Sequence, residues 1–278
     1  MTEGPQDRRN GNHSGRRRRH RDPKAAPPVR RPAQSYRDES RRVVYVAAEG
    51  ERTERDYISL LNQAHGEREK FFLRFAGARN GLRPTEVVDL VLESSSAPGD
   101  EKWALFDRDA LDNRDRDIPR AMRKAAANGV QVALSHPSFE LWLLLHFQHF
   151  TSQEGGVNDT VLDRLRAHRD AKGFEAYDRA SGDRGKGLDE QRGESLLQRE
   201  KNAVRNARKL VGQCPHGACS ARGLEHGPIP PAHVETYEEW TRRSGHAGNC
   251  DPLGRDPTSD VWRLLVHLGI VQDETPAA

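Results

Sequence analysis

Cysteine is scarce: three residues in a chain of 278. An odd and small number argues against a disulfide framework and predicts a reducing cytoplasm. Long apolar runs are missing too. Nothing approaches the roughly 18 consecutive apolar residues a membrane span needs, so no membrane partner is expected. The N-terminus is positively charged but lacks the apolar stretch of a secretory signal. No Gly-x4-Gly-Lys-Ser/Thr occurs, which excludes a P-loop ATPase within this chain. Neither a Gly-x-Ser-x-Gly elbow nor a His-Glu-x-x-His zinc-protease motif is present. Hydrophobic residues make up only 34% and charged residues 31%, so part of the chain is expected to stay outside the core.

The net charge of +3 conceals an asymmetry. Residues 1–42 hold 13 Lys+Arg against 5 Asp+Glu, and the remainder holds 32 basic against 37 acidic. The first 42 residues, rich in Arg, Pro, Gly and Asn and without apolar periodicity, read as a disordered basic tail. Such a tail suits either a nucleic-acid tether or a solubilising leader.

From residue 43 the texture changes. Val43 to Ala48 is a β-branched, apolar run that reads as a buried strand, stopped by Glu49-Gly50-Glu51. Thr53 to His65 reads as a helix, with Thr53 and Asp56 spaced as a capping box and Tyr57, Leu60 and Leu61 facing inward. Further strands are expected at Phe71–Ala76, Lys102–Phe106 and Gln131–Leu134. Helices are expected from Pro84 and over Ile118–Asn128, and Ser138–Phe147 is apolar enough to be a buried helix. The alternation predicts an α/β fold with a parallel, Rossmann-like sheet flanked by helices. Residues 43–150 form the expected core. Residues 151–278 read as a mostly helical C-terminal extension, with helices over Asp163–Asp170, Gln198–Val211, Thr236–Arg243 and Ser259–Leu268.

Two acidic clusters, Glu49 to Glu51 and Asp107-Arg108-Asp109, fall at strand ends, where ligands of parallel sheets bind. A hard cation such as Mg²⁺ takes oxygen ligands and keeps several waters, so two or three carboxylates suffice. A neighbouring glutamate completes the shell or acts as a general base. An isolated Asp-x-Asp is as readily a turn or cap; pairing with Glu49 is what favours the metal. Glu140 sits in the apolar Ser138–Phe147 stretch, and a lone buried carboxylate needs a partner. It is a candidate catalytic group, a member of the metal site, a support for His136 or an arginine, or one half of a structural pair with a buried arginine.

Glu49-Gly50-Glu51-Arg52-Thr53-Glu54 after an apolar strand, Asp107 and Asp109, and Ser135-His136-Pro137-Ser138-Phe139-Glu140-Leu141-Trp142 together resemble the RloB family in order and spacing. A fainter likeness to its C-terminal end runs from Asp256 to Leu265. Two departures from that family stand out: His136 and Ser138 replace an Asn and a Cys, and Ala48 precedes Glu49 where a Cys is common. The resemblance implies a Toprim-like domain with Glu49 as general acid/base and Asp107, Asp109 and Glu49 holding Mg²⁺, or Mn²⁺ in its place. It further implies a nuclease cleaving phosphodiesters in DNA or RNA, a role in anti-phage defence, and a separate ATPase polypeptide as partner.

Arg52 and Arg108, beside the acidic clusters, are candidate nucleic-acid contacts. So are Lys186, in a glycine-rich basic loop over Ser181–Gly187, and Arg205 and Arg208 on the Gln198–Val211 helix. Cys214-Pro215-His216-Gly217-Ala218-Cys219, with His226, His233, His246 and Cys250 downstream, raises zinc. The Cys-x4-Cys spacing lies at the edge of the usual range, which favours a loop with incidental Cys and His. The competing functional reading is a non-catalytic nucleic-acid-binding or assembly protein that kept the fold.

Overall fold

Strand β1 (Arg42–Ala48) forms where the sequence turns β-branched, and it lies inside a five-stranded sheet of order β2-β1-β3-β4-β5. The computed structural model describes residues 41–77, 81–95, 97, 99–108, 115–179, 185–221 and 235–272. Within these limits β2 is Phe71–Phe75, β3 Glu101–Asp107, β4 Gln131–His136 and β5 Thr258–Ser259. The first four strands pair in parallel, and β5 joins β4 antiparallel through Ser135↔Ser259 and His136↔Thr258. The parallel α/β architecture read from the sequence is the one observed. Its antiparallel edge strand, two residues long, carries no periodicity of its own.

Both sheet faces are covered, because alternate residues of each central strand point to opposite sides. Val44, Val46, Ala48, Trp103 and Leu105 face helices α1 (Thr53–His65), α4 (Phe139–Leu145), α5 (Asp159–Ala167), α7 (Glu200–Val211) and α9 (Val261–His267). Tyr45, Ala47, Ala104 and Phe106 face α2 (Pro84–Ser94) and α3 (Ile118–Ala127), with Trp240 of α8 (Tyr237–Arg243) in the same cluster. A short α6 (Glu190–Leu196) precedes α7; Gln198, with φ of 70°, breaks the chain between them. All seven residues of α4 are buried, as its composition predicts. Among the described residues no helix is long and apolar enough to cross a membrane.

Three expectations change in detail. Arg42 belongs to β1 rather than to the tail, its guanidinium bonded to Glu101 at 2.7 and 2.8 Å. Thr53 does not cap α1 but is its first residue. Its hydroxyl meets Tyr177 Oη at 2.7 Å, and Asp56 accepts the Leu188 N–H at 3.0 Å. Long-range partners outcompete the local capping pattern here. The stretch Glu190–Leu196, unassigned in the sequence reading, is helical, with Asp189 capping it through the Arg192 N–H. The reading of residues 1–40 as a basic tail lies outside the described residues, as do Asp109, His226 and His233.

Candidate active site

The chain leaves β1 toward β2 on one side and returns to β3 on the other, so the crevice between the carboxyl ends of β1 and β3 is a topological switch point. Ala48 pairs with Leu105, which puts Glu49 and Asp107 together at the mouth of that crevice. They line a cleft of about 200 Å³ with Glu51, Arg52, Glu54, Glu140 and Lys186. Five carboxylates thus face two cations.

Asp107 and Glu140 are held by identifiable contacts. Asp107 Oδ2 accepts the backbone N–H of Phe139 at 2.9 Å, tying the end of β3 to the start of α4. Glu140, 6% exposed, takes one hydrogen bond from Tyr177 Oη at 3.0 Å and one from Asn158 Nδ2 at 3.2 Å. Among the described residues its hydrogen-bonding partners are Tyr177 and Asn158, not His136 or an arginine. Ser138 Oγ donates to Asn158 Oδ1 at 2.7 Å and so orients that amide.

Glu54 lies in the first turn of α1 with its carboxylate beneath Gly50. A Cβ on Gly50 would stand 2.1 Å from Glu54 Oε2, so a larger residue there would displace the Glu54 carboxylate. Burial, reinforced by the charge of Glu140, pushes the Glu54 carboxyl up to about 7.

Lys186 reaches the cleft rim from the segment after Gly185. Arg192 fixes that segment, donating to the carbonyls of Gly173 at 2.7 Å, Gly185 at 3.2 Å and Gly187 at 2.8 Å. Gly187, at φ +96°, lies against Asp56 Oδ2, which would stand 2.8 Å from an added Cβ. Burial opposes the Lys186 charge, but Glu140, Asp178, Glu54 and Asp107 together outweigh it and raise its pKa.

The structure thus brings Glu49, Asp107, Glu140, Arg52 and Lys186 together. Arg108 is turned aside: it bonds Asp115 at 2.9 Å, His136 Nε2 at 3.1 Å and the Leu253 carbonyl at 3.0 Å. Arg205 is exposed on α7 and bonded to Asn202, while Arg208 lies over the Trp262 ring and donates to the Ala221 carbonyl. Neither lines the cleft. The sequence reading passed over Glu54, Tyr177, Asn158 and Arg192. Glu54 stood inside the motif that drew attention to Glu49; the others sit in stretches with no legible motif.

The fold and cleft define an α/β protein with a carboxylate-lined pocket at the switch point of a mainly parallel sheet. The chain belongs to the RloB-like protein family, whose model matches residues 44–223, more than half of its length. No curated protein and no solved structure matches it. The matched stretch takes in both acidic clusters, α4 and Lys186; the likeness read from Asp256 to Leu265 lies beyond it.

Proposed function

We propose that this protein is a Mg²⁺-dependent, Toprim-type nuclease that hydrolyses nucleic-acid phosphodiesters as an effector of anti-phage defence. One observation carries the reading: five carboxylates against two cations in a single cleft at the switch point. A bare phosphodiester would meet net repulsion there, whereas a hard divalent cation finds the oxygen donors it prefers. The donor set therefore fits Mg²⁺ or Mn²⁺. Glu49 and Asp107 would hold it, joined by Asp109 on the family likeness. When bound, such an ion neutralises charge on the phosphate and acidifies a water.

The remaining work falls to the chain's own side chains. Lys186 and Arg52, at the rim, bind the phosphate oxygens of the incoming strand. Glu140 is held by Tyr177 and Asn158 with its carboxylate directed at the cleft, an acceptor for the proton of an attacking water. Glu54, balanced near neutrality, suits proton exchange with the leaving oxygen. In the family's pattern Glu49 would instead take the general acid/base role, leaving the ion to Asp107 and Asp109. The defence role rests on family membership, and any ATPase partner would be a separate polypeptide.

The test is cleavage of a mixed DNA and RNA panel by wild type and Asp107→Asn, with Mg²⁺, with Mn²⁺ and with chelator. Metal-dependent cleavage reduced by about a hundredfold or more in the variant is expected. Cleavage that persists undiminished in Asp107→Asn, or in chelator, would sink the assignment. Binding without cleavage under every condition would identify the non-catalytic alternative instead.

A further inference from the structure

Away from the cleft, the segment after α7 and the segment before β5 converge on a second cluster. Cys214, His216, Cys219 and Cys250 place their ligand atoms all within 4.8 Å of one another. We propose that these four residues form a structural Zn²⁺ site. The proposal stands independently of the nuclease reading, since it concerns neither the cleft nor its carboxylates.

The cluster approaches the dimensions of such a centre. A tetrahedron with zinc–sulfur arms of about 2.3 Å has sulfur–sulfur edges of about 3.8 Å and sulfur–nitrogen edges of about 3.6 Å. Cys214 Sγ and Cys250 Sγ are 3.7 Å apart, and His216 Nδ1 stands 3.1 Å from the first and 3.3 Å from the second. Nδ1 is the ring nitrogen that faces the sulfurs. With Nδ1 on the metal the ring proton sits on Nε2, so the Asp251 N–H, 3.2 Å from Nε2, must turn aside when the site is loaded. All three cysteines are buried and none is in a disulfide. Three thiols gathered beside one imidazole suit a soft, tetrahedral ion better than any neutral packing role.

What surrounds the sulfurs suits thiolates. Arg255, 1% exposed, donates from Nε to Cys250 Sγ at 3.4 Å, and the Ala247 N–H donates to Cys219 Sγ at 3.4 Å. Three thiolates and one imidazole around Zn²⁺ leave a net charge of −1, which the Arg255 guanidinium offsets. Asp260 stands behind it, 3.9 Å from Arg255 and 3.7 Å from His246, so the charges next to the cluster are themselves paired. With four protein ligands the site is closed, which makes it structural rather than catalytic. It would cross-link the stretch following α7 to the stretch entering β5. In the latter, Asp256 accepts the Gly155 N–H at 2.7 Å, next to Gly156 of the cleft wall.

The full chain, purified without a metal-chelating tag, is assayed for metal content and thiol reactivity. The expected result is about one zinc per chain that survives dialysis, with the thiols unreactive until a mercurial releases the metal. Exchange for Co²⁺ should give the d–d and sulfur-to-cobalt absorption of a tetrahedral thiolate centre, a readout on wild type that needs no variant to fold. Cys250→Ser and His216→Ala should each weaken zinc binding at least about tenfold. Absence of zinc with three freely titrating thiols, iron in its place, or a mass lower by two hydrogens from a disulfide would each overturn the site. Loss of metal in His246→Ala but not in His216→Ala would overturn the assignment of the fourth ligand.

Discussion

Tyr177 Oη donates a 3.0 Å hydrogen bond to Glu140 Oε1 while also meeting Thr53 Oγ1 at 2.7 Å. One buried phenol thus connects the start of α1, which follows the Glu49 cluster, with the carboxylate of α4. Hydrogen bonds to a charged group contribute about 1.5–3 kcal/mol, and a buried carboxylate deprived of a donor loses most of that. Tyr177→Phe keeps the ring and deletes the bond. The variant should lose about 1–2 kcal/mol of stability in urea unfolding and about tenfold in cleavage rate, with an unchanged far-ultraviolet spectrum. Wild-type values for both would show that the phenol neither holds nor orients Glu140.

Glu54 gives the cleft a pH signature of its own. Burial, with Glu140 beside it, raises its carboxyl from 4.5 to about 7. Between these values the folded protein keeps a proton that the unfolded chain releases, so stability falls as pH rises from 4.5 through 7. Glu54→Gln removes the penalty. Because part of the side chain reaches solvent, screening reduces the effect to about 1–2 kcal/mol. Without added divalent cation, the variant should be the more stable at pH 8 and indistinguishable at pH 4. A constant difference across that range would mean that Glu54 titrates as an ordinary surface carboxylate.

Much of the frame was legible because the central strands carry their burial in composition. The Val43–Ala48 run, the apolar 139–145 stretch and the abrupt acidic stops after β1 and β3 each follow from local pattern. From them the parallel sheet and the meeting of Glu49 with Asp107 could be read in advance. What stayed hidden depends on distant partners. Thr53 and Asp56 look like a local cap, yet Tyr177 and Leu188 claim them from more than a hundred residues away. Strand β5 is two residues long and exists only because β4 offers it an edge. The cysteines follow the same rule: Cys214 and Cys219 make a poor knuckle alone, and Cys250 completes the cluster only after α8 has turned the chain back.

His146 ends α4 with its ring between Tyr57 and Trp142, Nδ1 3.0 Å from the Trp142 carbonyl and Nε2 3.4 Å from Tyr57 Oη. Burial pushes its pKa from 6.5 down to about 4, against a smaller opposing pull from the Trp142 carbonyl. The sign is opposite to that of Glu54. Below 6.5 the unfolded chain takes up a proton that the folded imidazole refuses until about pH 4, so stability present above 6.5 is lost as pH falls across that window. For a wholly buried ring the loss is on the order of 3 kcal/mol. His146→Gln keeps polar atoms at the site and removes the titration. Urea unfolding at half-unit intervals should show a shallower acid slope between pH 6.5 and 4 in the variant. Parallel slopes would place the acid sensitivity elsewhere. His136, held near 4 by burial despite Asp256, would then be the imidazole to replace.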